Sequence, residues 1–335
     1  MAAPLTLALP VAAPGCASSS QQAQPVAVFP PRRRVLLAGA LSAALLLSGR
    51  CSQAAVAVPA ASSPALLHAV LRVRDLESAS KFMVDALGMT RLRARPGNVF
   101  VGFGTESLGQ HFSLELSPFD DAGAAVSPDG FGGLVLAVDN PSAAAARAVG
   151  AGGRRTGGGR CAGDAFAGCA VTSPDGIQVA FVKRGNAIQA QELARVVLPV
   201  SNLADAVAFY EDALGMRRLK GDRQPGVNDR AAEDGPQPEH ALLAFPGGTV
   251  ALELHALASS IGGGVPDSAR LFDKIALSVP DLTAAADRVA AYNPTCLVKP
   301  PFAVPGIGTH VAIVQDLDGH TLALVDAADF EKELA

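Results

Sequence analysis

Two Leu-Glu-Leu triplets carry the most pointed chemistry in the chain. Leu114-Glu115-Leu116 and Leu252-Glu253-Leu254 each set one carboxylate between two aliphatic side chains. That alternation describes a strand with a single acidic residue on one face. Neighbours at even spacing share the face. His111 and Ser113 precede Glu115 by four and two residues, and His255 follows Glu253 by two. A carboxylate beside an imidazole can ligate a divalent ion or move a proton between neighbouring atoms.

The elements that position these residues repeat along the chain. Val73 to Met89 and Val200 to Met216 align at a constant offset of 127 and both end Asp-Ala-Leu-Gly-Met. Each opens on a β-branched run. An Asp or Asn follows ahead of Leu and an Ala-rich stretch, as an N-cap precedes a helix, and Gly marks the stop. A second pair shares another pattern. Leu134 to Asn140 leads into a helix at 141–150, and Ile275 to Asp281 into one at 283–291. Both close on hairpin signals, Ser173-Pro174-Asp175-Gly176 and Asp316-Leu317-Asp318-Gly319, followed by strands at Ile177–Val182 and Thr321–Val325. The chain therefore reads as four units near 66–118, 131–184, 192–256 and 272–327, each a strand, a helix and about three strands. Segments 151–163 and 220–239 read as loops.

Composition narrows the function. Hydrophobic residues form 49% of the chain, ample for a core, although Ala-rich tracts bury little area each. With no Trp, two Tyr and no Lys/Arg block in the body, the sequence offers neither stacking platforms nor a basic stripe for nucleic acid. The net charge of −4 conceals an uneven distribution, since residues 1–57 hold four Arg and no Asp or Glu. There Arg32-Arg33-Arg34 run into an apolar stretch from Val35 to Leu47, and Ala55-Val56-Ala57 supplies a small-x-small cleavage pattern. This is the form of a bipartite plastid presequence ending in the thylakoid lumen, with paired Arg like a twin-arginine signal. Stromal retention and membrane anchorage are the alternatives. The apolar run, about a dozen residues, is short for a bilayer span, so no stable membrane insertion is expected after processing. Of five Cys, Cys161, Cys169 and Cys296 lie beyond the leader. Their spacing suggests no metal site, and it permits a Cys161–Cys169 bridge.

Four βαβββ units carrying Leu-x-Val-x-Asp-Leu and Ala-Leu-Gly-Met resemble glyoxalase I and its vicinal-oxygen-chelate relatives. The likeness covers most of residues 64–328 and is most specific at Leu66 to Leu76, which is similar to the first strand of glyoxalase I with its metal-binding His in place as His68. The resemblance implies an α+β fold, four βαβββ modules paired into two open barrels. With the leader set apart at 1–57, it implies domains at 64–185 and 192–328. It also implies one cleft between the first and fourth modules and another between the second and third. The activity it implies is lactoylglutathione lyase-type isomerisation of the methylglyoxal–glutathione hemithioacetal, with a divalent metal, Zn or Ni, as Lewis acid and a metal-bound Glu115 or Glu253 moving the proton.

Carried over residue by residue, the ligand set is incomplete. The first cleft has His68 and Glu115 as ligands, with Lys274 and Ala323 in the other two positions. The second has Gly133, Ala180, Arg195 and Glu253. Lys274 and Arg195 are then ligand-contact candidates. Glu115 can pair with Lys274, and Glu253 with Arg195. The positions after the first Glu-Leu strand that imply glutathione contacts hold Pro118 and Phe119. His310, at a strand start, can point into the first cleft, whereas His240 and His320 read as solvated loop residues. The alternative to the isomerase is a metal-free protein of the same fold that binds a small ligand or acts as a scaffold.

Overall fold

The computed structural model describes residues 63–107, 111–119, 130–155, 169–185, 193–219, 227–228, 240–256 and 271–334. Residues 1–57, expected to be a presequence, Cys161 and most of both expected loops lie outside these residues. The chain divides into Met1–Val56 and Ala57–Ala335, and every described residue belongs to the second unit.

The first module comprises β1 (Ala65–Val73), α1 (Leu76–Leu87), β2 (Thr90–Arg95), β3 (Asn98–Ser107) and β4 (His111–Pro118). The second comprises β5 (Gly133–Val138), α2 (Pro141–Gly150), β6 (Arg154–Arg155), β7 (Ala170–Thr172) and β8 (Gln178–Arg184). The third runs through β9 (Leu193–Val200), α3 (Leu203–Ala208), a π-helical turn at Phe209–Ala213, β10 (Arg217–Arg218), β11 (Val227–Asn228), β12 (His240–Ala244) and β13 (Ala251–Ala256). The fourth holds β14 (Phe272–Val279), α4 (Leu282–Tyr292), β15 (Leu297–Ala303), β16 (His310–Gln315) and β17 (Thr321–Asp326). A terminal helix, α5 (Ala327–Leu334), follows it. The sequence reading ends its fourth unit at 327 and has no counterpart for α5.

The strand order β15-β16-β17-β14-β1-β4-β3-β2 joins the first and fourth modules, and β10-β12-β13-β9-β5-β8-β7-β6, with β11 on β8, joins the second and third. The pairing of modules implied by the resemblance is therefore the pairing observed, in two open sheets. In each sheet the modules meet through antiparallel first strands, β1 with β14 and β5 with β9.

Local sequence explains the elements. Asp75, Asn140, Asn202 and Asp281 each cap a helix, the side-chain oxygen accepting a backbone N–H from its first turn. The Ala-Leu-Gly-Met signature is the matching stop. Gly88 and Gly215 adopt φ of 82° and 79°, which only Gly takes without strain, and the following Met N–H reaches back to Met83 O and Tyr210 O. Met89 and Met216 then point into the core.

One apolar core fills the space between the helix-facing sides of both sheets. Phe131, two residues ahead of β5, and its repeat equivalent Phe272, the first residue of β14, stack there at 5.3 Å. The Asp-Gly hairpins also tie the halves together: Asp175 Oδ1 accepts from Arg74 N, and Asp318 Oδ1 accepts from Ser201 N and Oγ. Arg74 and Ser201 are repeat equivalents, so one clamp is built twice.

Candidate active site

The site residues lie on the sheet faces turned away from that core. The register of β1 against β14 slips between Leu66 and His68, which brings Leu67 and His68 to the same open face. On parallel β4, Glu115 falls beside Val70 and Ser113 beside His68. The result is a pair, His68 Nε2 to Glu115 Oε2 at 3.3 Å, with both residues 9% exposed. Asn98, from β3, donates its amide to Glu115 Oε1. Burial works to raise the Glu115 pKa. The His68 contact, the Lys274 charge and the Asn98 bond outweigh it, so the carboxyl is held below its ordinary value. His68 Nδ1 is buried with no hydrogen-bond partner.

Lys274 lies across β1 from Glu115, yet its ammonium bonds to Asp273, which also accepts from Arg72 at 2.7 Å. The pairing of Glu115 with Lys274 admitted by the sequence is thus replaced by pairing with His68. Lys274 contributes charge and not a direct bond. Ala323 is packed with Leu67, Ala276 and Phe330 of α5.

In the second cleft Glu253 accepts from Arg195, Nη1 to Oε2 at 3.2 Å. His255 Nε2 meets its other oxygen at 2.5 Å. His240 sits directly across from His255, ring centroids 5.6 Å apart. Burial opposes ionisation of Glu253, but His255, Arg195 and the more distant His240 hold its pKa down to about 2. Gly133 and Ala180 bring no donor, and Ala180 belongs to a small apolar cluster with Val135 and Val197.

Other His readings change. His320 is fully buried, not solvated: its Nδ1 meets Asp316 Oδ2 at 2.9 Å. His240 begins β12 and is half-buried. His310 turns to Asp329 of α5 at 2.7 Å, and His111 packs its ring over Gly104 at the far end of the hairpin. Cys169 is a free thiol. Among the described residues no three His, Cys, Asp or Glu side chains gather closely enough to hold an ion, and no helix is long and apolar enough to cross a membrane.

Paired βαβββ modules forming two open sheets, each with a Glu on its outer face, define a glyoxalase-type protein. The chain belongs to the Glyoxalase/Bleomycin resistance protein/Dioxygenase superfamily, whose profile matches residues 65–181 and 192–324. Within it the chain is glyoxalase I-like. It is 31% identical to a probable lactoylglutathione lyase, chloroplastic, of Arabidopsis thaliana over 80% of this chain and 75% of that one. It is 30% identical to a lactoylglutathione lyase of rice, Oryza sativa subsp. japonica, over 80% and 91%. The crystal structure of glyoxalase I from Zea mays superposes with a TM-score of 0.62 at 28% identity, covering 81% of this chain and 95% of that one.

The residues that sequence reasoning missed are Asn98, Arg93, Arg95, Phe330 and Glu333, all beside the first cleft. Asp326, whose Oδ1 accepts from Asp329 N, followed by Ala-Ala-Asp-Phe-Glu-Lys-Glu-Leu, is a readable capped helix signal for the last two.

Proposed function

We propose that this glyoxalase I-like chain binds a glutathione adduct in its first cleft and does so without the four-ligand metal centre of an isomerase. The donor set carries the reading. His68 and Glu115 are engaged with each other, the third ligand position holds an ammonium and the fourth a methyl group. First-row and zinc sites want three or four N, O or S donors, and a cation in the shell opposes a divalent ion. The residues present do not fit such a centre. What they do offer is a buried carboxylate, Glu115, held by His68 and Asn98 and reached by the Lys274 charge, a polar floor for a charged, amide-rich ligand. The lactoylglutathione lyases to which the chain is similar support the glutathione adduct as that ligand.

The isomerase reading is favoured by the lactoylglutathione lyase relatives and by His68 and Glu115 standing together on one face at 3.3 Å. The two readings separate cleanly. The full chain, dialysed against Zn²⁺ or Ni²⁺ and then metal-free buffer, is expected to retain far less than one ion per chain. It should not turn over the methylglyoxal–glutathione hemithioacetal, while calorimetry records binding of S-hexylglutathione. Stoichiometric metal with turnover that vanishes in His68→Ala and Glu115→Ala would establish the isomerase instead.

The leader and the chloroplastic relative support the chloroplast as the compartment, and the Arg32-Arg33-Arg34 and Ala55-Val56-Ala57 signals support delivery onward to the thylakoid lumen. Protease protection inside isolated thylakoids tests the second step.

A further inference from the structure

The terminal helix α5 lies on the open face of the sheet formed by the first and fourth modules. It is eight residues long and buries only Ala327 and Phe330. A helix this short does not hold its shape alone in water, so its place depends on a few tertiary contacts. Phe330 packs with Leu67, Ala276 and Ala323 and lies tilted against the His68 ring, centroids 6.4 Å apart. Asp329 holds the backbone N–H and ring of His310. Glu333 makes the third contact. Its Oε1 accepts from Arg93 Nη1 at 3.1 Å and is paired with Arg95, and its Oε2 accepts from Thr309 Oγ1 at 3.0 Å.

Arg93 and Arg95 come from edge strand β2 and lie over the same ring, Phe100, at 3.7 and 5.5 Å. Phe100 meets His68 edge-on at 5.6 Å, so the two guanidiniums adjoin the His68–Glu115 pair. Two guanidiniums side by side in a half-buried place need an anion between them. Arg93 has Glu106 as a second partner, at 2.5 Å. Among the described residues Glu333 is the only carboxylate within ion-pair reach of Arg95.

We infer that Arg93 and Arg95 form a carboxylate subsite of the first cleft, that Glu333 is its built-in occupant, and that a ligand carboxylate enters by displacing α5. The ligand class is a small molecule with a free carboxylate and an apolar arm, the first replacing Glu333 and the second replacing Phe330. The inference rests on the binding reading proposed above and adds how the cleft opens. Because the helix competes with the ligand, the measured affinity is the intrinsic one reduced by the fraction of molecules with α5 released.

Calorimetry and hydrogen exchange on the full chain test it, with S-hexylglutathione and its diethyl ester as probes. Glu333→Gln is expected to bind the free acid about tenfold more tightly than the unaltered chain. Exchange of the α5 amides should rise when the free acid is added to the unaltered chain. The diester should produce neither effect. Arg95→Gln in the Glu333→Gln background should erase the gain. If the free acid binds equally to both proteins and leaves α5 protected, the inference fails while the binding reading stands. If the free acid binds to neither, the binding reading fails and takes the inference with it.

Discussion

Asp316→Ala is expected to destabilise the protein by about 4 kcal/mol, the sum of several buried polar groups left without a partner. Asp316 is a hub. Its Oδ2 accepts from the Tyr210 hydroxyl at 2.8 Å and meets His320 Nδ1 at 2.9 Å, and its Oδ1 accepts from the backbone N–H of His320 and Asp318. Tyr210 arrives from the π-helical turn of the third module, while Asp316 and His320 belong to the hairpin of the fourth. The network therefore fastens one sheet to the other through a helix. Tyr210 and His320 are almost entirely removed from solvent, so water cannot replace the lost acceptor. Burial first, and then the Asp316 charge, push the Tyr210 hydroxyl well above its ordinary pKa, which keeps it a donor at any working pH. Urea unfolding followed by far-ultraviolet circular dichroism gives the readout, the chain having no Trp. Tyr210→Phe removes one bond and should cost about 1–2 kcal/mol. A loss below 1 kcal/mol for Asp316→Ala would mean the network is not the fastening described.

That hub also shows where the sequence can and cannot be read. The Asp316-Leu317-Asp318-Gly319 string announces a hairpin, because Gly319 takes a positive φ and Asp favours the turn. Nothing local announces that the same Asp reaches a Tyr 106 residues away, or that the adjacent His320 is in the interior. Periodicity reports faces, and caps report ends, so the four modules and their helices were legible. The constant offset of 127 was legible for the same reason, since Gly88 and Gly215 do one physical job twice. The site was legible only through residues on regular strands. His68, Glu115, Arg195 and Glu253 fall on the open faces that alternation requires, apart from the one-residue slip at Leu66. Partner choice within a face was less legible. Lys274 turns to its own neighbour Asp273, which the slip of β14 against β1 between Val70 and Leu71 leaves out of the ladder, and Glu115 is left to His68. The plug over the first cleft was missed because α5 comes after the last repeat, where no internal copy exists to compare.

Arg195→Met should cost about 3–5 kcal/mol at neutral pH, since it strands Glu253 as a buried charge with only the imidazoles nearby. Arg195 and Glu253 are 3% and 4% exposed, so neither can turn to water instead. The sign of the accompanying pH effect follows from the direction of the shift. The folded pKa of Glu253, about 2, lies below the ordinary value of 4.5. A depressed carboxylate contributes stability that is fully present above the unfolded pKa and is lost as pH falls through the folded one. Between pH 4.5 and 2 the unaltered chain should therefore lose roughly 3 kcal/mol from this group. In Arg195→Met the desolvation of Glu253 is no longer opposed by a guanidinium, so its pKa rises and the acid-induced loss moves to higher pH. Urea unfolding at several pH values would show both effects; a curve parallel to that of the unaltered chain would refute the assignment. Adding Glu253→Leu to Arg195→Met removes the stranded charge and should return most of the stability at pH 7, because an apolar pair of similar volume often matches a buried ion pair. Recovery in that double variant would mean that the pair in the second cleft is not required for folding. A ligand that binds there would then be the reason to look for its role.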